Sequence, residues 1–265
     1  MENYSEIPQQ PFVQKYHIKG ILIALVMLFL LIGSAMMTGV NVGMFLANLD
    51  QFVVILGQMA NPSWDYLKVI WKPLYETMQM ALVGTTIGTL IAIPFSLLAA
   101  RNLVKNKIIR SVVRFILDIV RTFPDLLLGA IFVAIFGIGT TAGVVTLAIF
   151  SFGMVSKLFY EMIETIDMGP IEAMQAAGAN SIQVIWFAVV PQITNQFISY
   201  FLYTLEINVR ASTVLGYIGA GGIGVFLQRS LDQFAYADTA VIIIATFIVV
   251  LVIDFISNHL RRVLL

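Results

Sequence analysis

Apolar runs of 18 or more residues recur along this chain, each long enough to cross a hydrocarbon layer about 30 Å thick. Nothing else in the sequence restricts the fold as strongly. Of the 265 residues, 59% are hydrophobic and only 11% charged, where a soluble domain carries about a quarter charged residues. The reading is an all-α, polytopic membrane protein with about six transmembrane helices. The net charge of zero decides little, because the placement of charge matters more than its sum. No cysteine is present, which excludes disulfide and thiol chemistry. His17 and His259 lie near opposite ends, which argues against a histidine metal site.

Residues 1–19 are polar, with Lys15, His17 and Lys19 before the first span, and read as a cytoplasmic tail. The apolar run 20–38 is too long for the core of a cleaved signal peptide and reads as a retained span. Residues 39–73 are mixed and read as an external segment with some interfacial helix. Trp64, Tyr66 and Trp71 suit the aromatic belt. Span two covers residues 74–100. Its Gly84 and Gly88 permit close helix packing within the subunit, and Pro94 is expected to kink its inner end. The basic loop Arg101–Arg110 then faces the cytoplasm by the positive-inside rule. Span three, 112–136, carries Arg114, Asp118, Arg121, Pro124 and Asp125. Arg114 can reach the cytoplasmic interface. Span four is 141–163, with Lys157 and Glu161 at i,i+4 spacing. Span five is 182–207 with a bend at Pro191. Residues 208–224 are too glycine-rich for a regular span and are expected to form a bent or re-entrant segment. Residues 225–238 return through a polar stretch, and span six is 239–257. Asp254 is expected to pair with a terminal basic residue or lie at the interface.

Between spans four and five sits a short charged island, Gly169-Pro170-Ile171-Glu172-Ala173-Met174-Gln175-Ala176-Ala177-Gly178. Ala173, Gln175, Ala176 and Ala177 favour helix. Pro170 suits a first turn, Glu172 lies near the positive end of the dipole, and Gly178 can take positive φ and end the helix. A helix with small side chains can be gripped in a groove on another protein, or it can be an ordinary loop helix. Six spans place both termini and this island inside, in agreement with Arg261 and Arg262 at the end of the chain.

No G-x-x-x-x-G-K-[ST] sequence occurs, so this chain does not cradle nucleotide phosphates in the P-loop manner. If ATP drives it, another polypeptide binds the ATP. Gly219-Ala220-Gly221-Gly222-Ile223-Gly224 follows no strand and is not a dinucleotide fingerprint. No nucleophile–base–acid arrangement is visible, and the subunit is not read as an enzyme. An arginine at mid-membrane costs about 2.5–3.5 kcal/mol on insertion scales, so Arg121 and Arg210 should face a cavity or a carboxylate. Two readings stand. In one, Arg121 pairs with Asp118 or Asp125 and Arg210 with Glu206. In the other, both arginines form a positive lining for a passing anion, tempered by Asp125 and Glu206.

The island resembles the EAA signature of permease subunits in bacterial ABC importers: Glu172, Ala173, Gly178 and Pro191 match, while Met174 replaces the second alanine. Arg121-Thr122-Phe123-Pro124-Asp125, Gly137-Ile138-Gly139-Thr140-Thr141-Ala142-Gly143, and the run from Asn208 to Gly216 with its glycine cluster look like the phosphonate/phosphite branch of those permeases. The likeness spans residues 60–262.

The resemblance implies a type I ABC importer permease fold, with a permease domain at residues 20–262 and a coupling loop at 164–181. It implies a second copy of the chain, two cytoplasmic ATPase subunits that carry ATP and Mg, and an extracytoplasmic solute-binding protein. The chain itself binds no cofactor and no nucleic acid. It sits in the bacterial cytoplasmic membrane, in contact with the lipid bilayer. Glu172, Ala173, Ala176, Ala177 and Gly178 are the expected ATPase-coupling residues. Arg121, Asp125, Arg210, Gly221 and Gly222 are the expected pathway residues. The expected cargo is phosphonate or a related phosphorus oxyanion. Alternatives are a permease for methionine or phosphate, a secondary transporter or channel, and an integral-membrane enzyme.

Overall fold

The computed structural model describes residues 18–39 and 42–264, so most of the expected N-terminal tail lies outside the described residues. The chain divides into two units after Leu56. In the first, α1 (Ile18–Met37) is apolar apart from Lys19 and Ser34 and buries none of its apolar window, followed by α2 (Val42–Ala47). α3 (Leu49–Met59) runs across the division.

The second unit is built on α4 (Leu67–Ala99) and α7 (Thr140–Glu164). At 33 residues, α4 is about 50 Å long. The two helices approach closely because Gly84 and Gly88 face α7. A Cβ on Gly84 would lie 2.6 Å from Cβ of Leu147, and one on Gly88 would lie 2.6 Å from Cβ of Ser151. The spacing therefore serves packing inside one subunit, as expected.

Between them come α5 (Lys107–Thr122) and α6 (Asp125–Phe136), bent by 86° relative to each other. The single span expected at 112–136 is thus two helices. Pro124 offers no N–H and holds Phe123 extended, at ψ 126°. α8 (Gly169–Ala176) is the expected island helix. α9 (Ser181–Val184) passes through a π turn at Ile185–Val189 into α10 (Val190–Tyr217). The π turn lies just before Pro191, where a regular helix would meet the ring of the proline.

The expected break from residue 208 does not occur. α10 remains helical through Tyr217, its only glycine being Gly216. The change of direction is confined to the glycine turn between α10 and α11 (Ile223–Asp232), and α12 (Tyr236–Leu264) closes the chain. Among the described residues, four helices are long and apolar enough to span a membrane, or five if the bent pair counts as one span. α10 has 28 residues, about 42 Å, but it carries Gln192, Asn195, Gln196, Glu206, Asn208 and Arg210. Of these, Asn208 is turned inward, whereas Gln192, Asn195 and Arg210 are exposed. The Asn208 amide, fully buried, donates to Thr85 Oγ1 and Ser151 Oγ, both at 2.6 Å, and so ties α10 to α4 and α7.

Candidate functional site

α8 begins with Pro170 in its first turn and Glu172 beside its N-terminus. It ends where Gly178 takes φ +82°, with Ala179 N–H donating to Met174 O at 3.0 Å. Only Ile171 is buried in the helix, in a cluster with Ala99, Ala100, Tyr160 and Ile163. Glu172, Ala173, Ala176, Ala177 and Gly178 are all exposed. Ile171, with the partly buried Met174 packed on the same cluster, therefore anchors the helix while a patch of small side chains faces outward. A Cβ on Gly178 would meet nothing within 4 Å. Gln192 holds the approach to α8: its side chain accepts from Asp167 N–H at 3.1 Å and donates to Asp167 O at 3.3 Å.

The pathway residues are not gathered into one cluster within the chain. Arg121, at the end of α5, pairs with Asp118 at 3.4 Å, and both side chains stay well exposed, at 39% and 61%. Asp125 opens α6 one residue past Pro124 and is half-buried. Arg210 pairs with Glu206 one turn earlier, and its side chain is 55% exposed. The carboxylate of Glu206 is shared, because its other oxygen takes Arg261 Nη2 at 3.0 Å. Sequence reasoning matched Glu206 with Arg210 by spacing and missed Arg261, which comes from 55 residues away. Asp254 was expected to pair with a terminal basic residue or to lie at the interface. It accepts from Asn258 at 3.0 Å.

Gly221 and Gly222 are buried at the backbone junction of two turns. Gly139 N–H donates to Gly219 O at 3.0 Å. A Cβ on Gly221 would lie 2.7 Å from Thr140 N, and one on Gly222 would lie 2.5 Å from Thr77 Oγ1. Thr77 Oγ1 also accepts from Ile223 N–H at 2.8 Å. The glycines thus let the α6–α7 turn, the α10–α11 turn and α4 meet without intervening side chains.

Residues 92–264 match the family described as binding-protein-dependent transport system inner membrane component. The chain is 38% identical over 217 residues to the phosphite transport system permease protein PtxC of Stutzerimonas stutzeri, covering 82% of this chain and 79% of that one. It is 37% identical over 216 residues to the phosphate-import permease protein PhnE of Mycolicibacterium smegmatis, covering 82% of this chain and 41% of that one. Its fold is like that of a chain of the MetNI methionine ABC transporter solved in inward facing conformations, with a TM-score of 0.64 at 23% identity over 75% of this chain and 97% of that one.

Proposed function

We propose, on the premise that this chain belongs to the binding-protein-dependent transport system inner membrane components, that it is the permease subunit of an ABC importer for phosphonate or a related phosphorus oxyanion. Two copies form the pore. Two cytoplasmic ATPase subunits, which carry the ATP and Mg, grip the exposed face of α8 at Glu172, Ala173, Ala176, Ala177 and Gly178. An extracytoplasmic binding protein delivers the solute. Both termini lie in the cytoplasm. ATP binding draws the gripped helices together and opens the pore outward, and hydrolysis resets it, by rigid-body movement.

The observation that carries this reading is the form of α8: one buried anchor, Ile171, beneath an outward patch of small side chains. Along the route, Arg121 and Arg210 supply positive charge, tempered by Asp125 and Glu206, while Gly221 and Gly222 hold the turn that backs it. The cargo is argued from the relatives, whose names record phosphite and phosphate transport.

The test is phosphite uptake by cells that depend on this importer, with Gly178 changed to Glu. Loss of uptake together with loss of the ATPase subunits from the purified permease is expected. Normal uptake with the ATPase attached would refute the coupling role. Phosphate is a second reading, since the phosphate-import relative is nearly as similar as the phosphite one. Competition of labelled phosphite uptake by excess phosphate separates the two.

A further inference from the structure

α7 ends at Glu164, five residues before α8 begins, and the Glu164 side chain is only 9% exposed. One oxygen accepts Arg101 N–H at 2.8 Å and pairs with Arg114 Nη2, while the other takes Arg101 Nε at 3.1 Å. The Arg114 guanidinium also donates twice to Ala99 O, at 2.9 and 2.8 Å, and lies 4.6 Å over the Tyr160 ring. Asn102 Nδ2 donates to Ile163 O at 2.6 Å. The end of α4, the loop after it, α5 and the end of α7 therefore converge on a single carboxylate. Charge-assisted bonds of this kind are about twice as strong as neutral ones; the carboxylate is nearly shut off from water, while the Arg101 side chain is 69% exposed.

This junction is also the floor under α8. Ile171 is buried in the apolar cluster that also holds Ala99, Ala100, Tyr160, Ile163, Val184, Ala188 and Val189. Asn102 and Leu103 line a crevice of about 100 Å³ together with Gln175, Ala179 and Ser181. An apolar anchor such as Ile171 can slide over its neighbours, because burial is non-directional. The carboxylate–guanidinium bonds cannot slide without breaking.

We infer that Glu164 is a positioning residue for coupling. It ties the ends of α4, α5 and α7 into one body, so that displacement of α8, carried to α7 through the turn at residues 165–168, reaches α4 and α5 as well. Without it, displacement that reaches α7 is not passed on to α4 and α5. This rests on the reading of α8 as the ATPase contact.

The test uses the permease reconstituted in liposomes with its ATPase subunits and binding protein, and phosphite as the probe. Glu164→Gln removes the charge but keeps the shape. The double variant Glu164→Met, Arg114→Met removes both sides of the pair, so neither is left buried and uncompensated. Both should retain the ATPase subunits and basal hydrolysis. Phosphite imported per ATP hydrolysed should fall about tenfold, within the range of ordinary coupling free energies. A merely structural role would lower the amount of assembled complex and leave that ratio unchanged, so an unchanged ratio in both variants overturns the inference. Loss of the ATPase subunits from both also overturns it, since Glu164 would then belong to the grip. Ala176→Arg separates the two ideas. If that variant still holds the ATPase subunits, the reading of α8 fails and the inference fails with it. If it releases them while the Glu164 variants import at full yield per ATP, only the inference fails.

Discussion

Gly139 and Gly219 are joined by a backbone hydrogen bond of 3.0 Å across 80 residues of sequence. That bond brings the α6–α7 turn against the α10–α11 turn. It fixes the ends of four helices with no side chain between the two backbones.

The first prediction follows from this junction. At Gly221, φ is +84° and a Cβ would lie 2.7 Å from Thr140 N. The left-handed conformation costs a non-glycine residue about 1–2 kcal/mol, and overpacking adds about 1–3. Gly221→Ala should therefore lower the thermal midpoint in detergent clearly. Gly57→Ala, where a Cβ would meet nothing within 4 Å, should leave it within experimental scatter.

Asn208 offers a second. Its amide supplies hydrogen bonds to Thr85 and Ser151, each at 2.6 Å, at a site with no exposure. Side-chain hydrogen bonds between membrane helices average about 0.6 kcal/mol and reach about 1.7. Asn208→Ala should thus cost roughly 1–3 kcal/mol once the lost volume is added. Thermal denaturation of the purified permease measures it, and no loss would mean the amide is idle.

A third concerns Glu206, which is 12% exposed and holds both Arg210 and Arg261. Glu206→Gln removes the counter-charge of two guanidinium groups. Arg210→Gln removes one side chain that is already 55% exposed. The first should reduce the yield of folded permease far more than the second. Arg210→Gln, and likewise Arg121→Gln, should fold normally and import phosphite more slowly. Unchanged uptake in both would return these arginines to a purely structural role.

The fourth is a cap. Asn106 Oδ1 accepts from Ile108 N–H at 2.9 Å and Ile109 N–H at 3.3 Å, and so starts α5. Asn106→Ala should cost about 1 kcal/mol, while Asn106→Asp should cost nothing, because a carboxylate accepts the same bonds and favours the helix dipole. Hydrogen exchange at the first turn of α5 reads the difference.

Local rules carried much of this fold. Residues 141–163 were expected to span, and α7 runs Thr140–Glu164. The island helix, its proline start and its glycine end follow from propensity and capping. The pairs Asp118–Arg121, Lys157–Glu161 and Glu206–Arg210 follow from helical spacing. What stayed hidden depends on distant encounters. Arg114 meets Glu164 across 50 residues, and Asn208 meets Thr85 across 123. Periodicity describes which face of a helix is apolar and says nothing about which helix will lie against it. The break after Phe123 was marked by Pro124, but the apolar residues on both sides concealed its size. The glycines after residue 215 suggested a break from Asn208 onward, whereas the helix holds because Asn208 and Ser212 are buried in packing contacts.

The near-right angle between α5 and α6 has a mechanical consequence. Two arms at 86° cannot both stand upright in a lipid slab, so at least one must lean toward its plane. The amount of lean depends on how thick the slab is. Acyl chain length therefore acts as an adjustable load on this elbow, and the same permease should turn over at different rates in thin and thick bilayers.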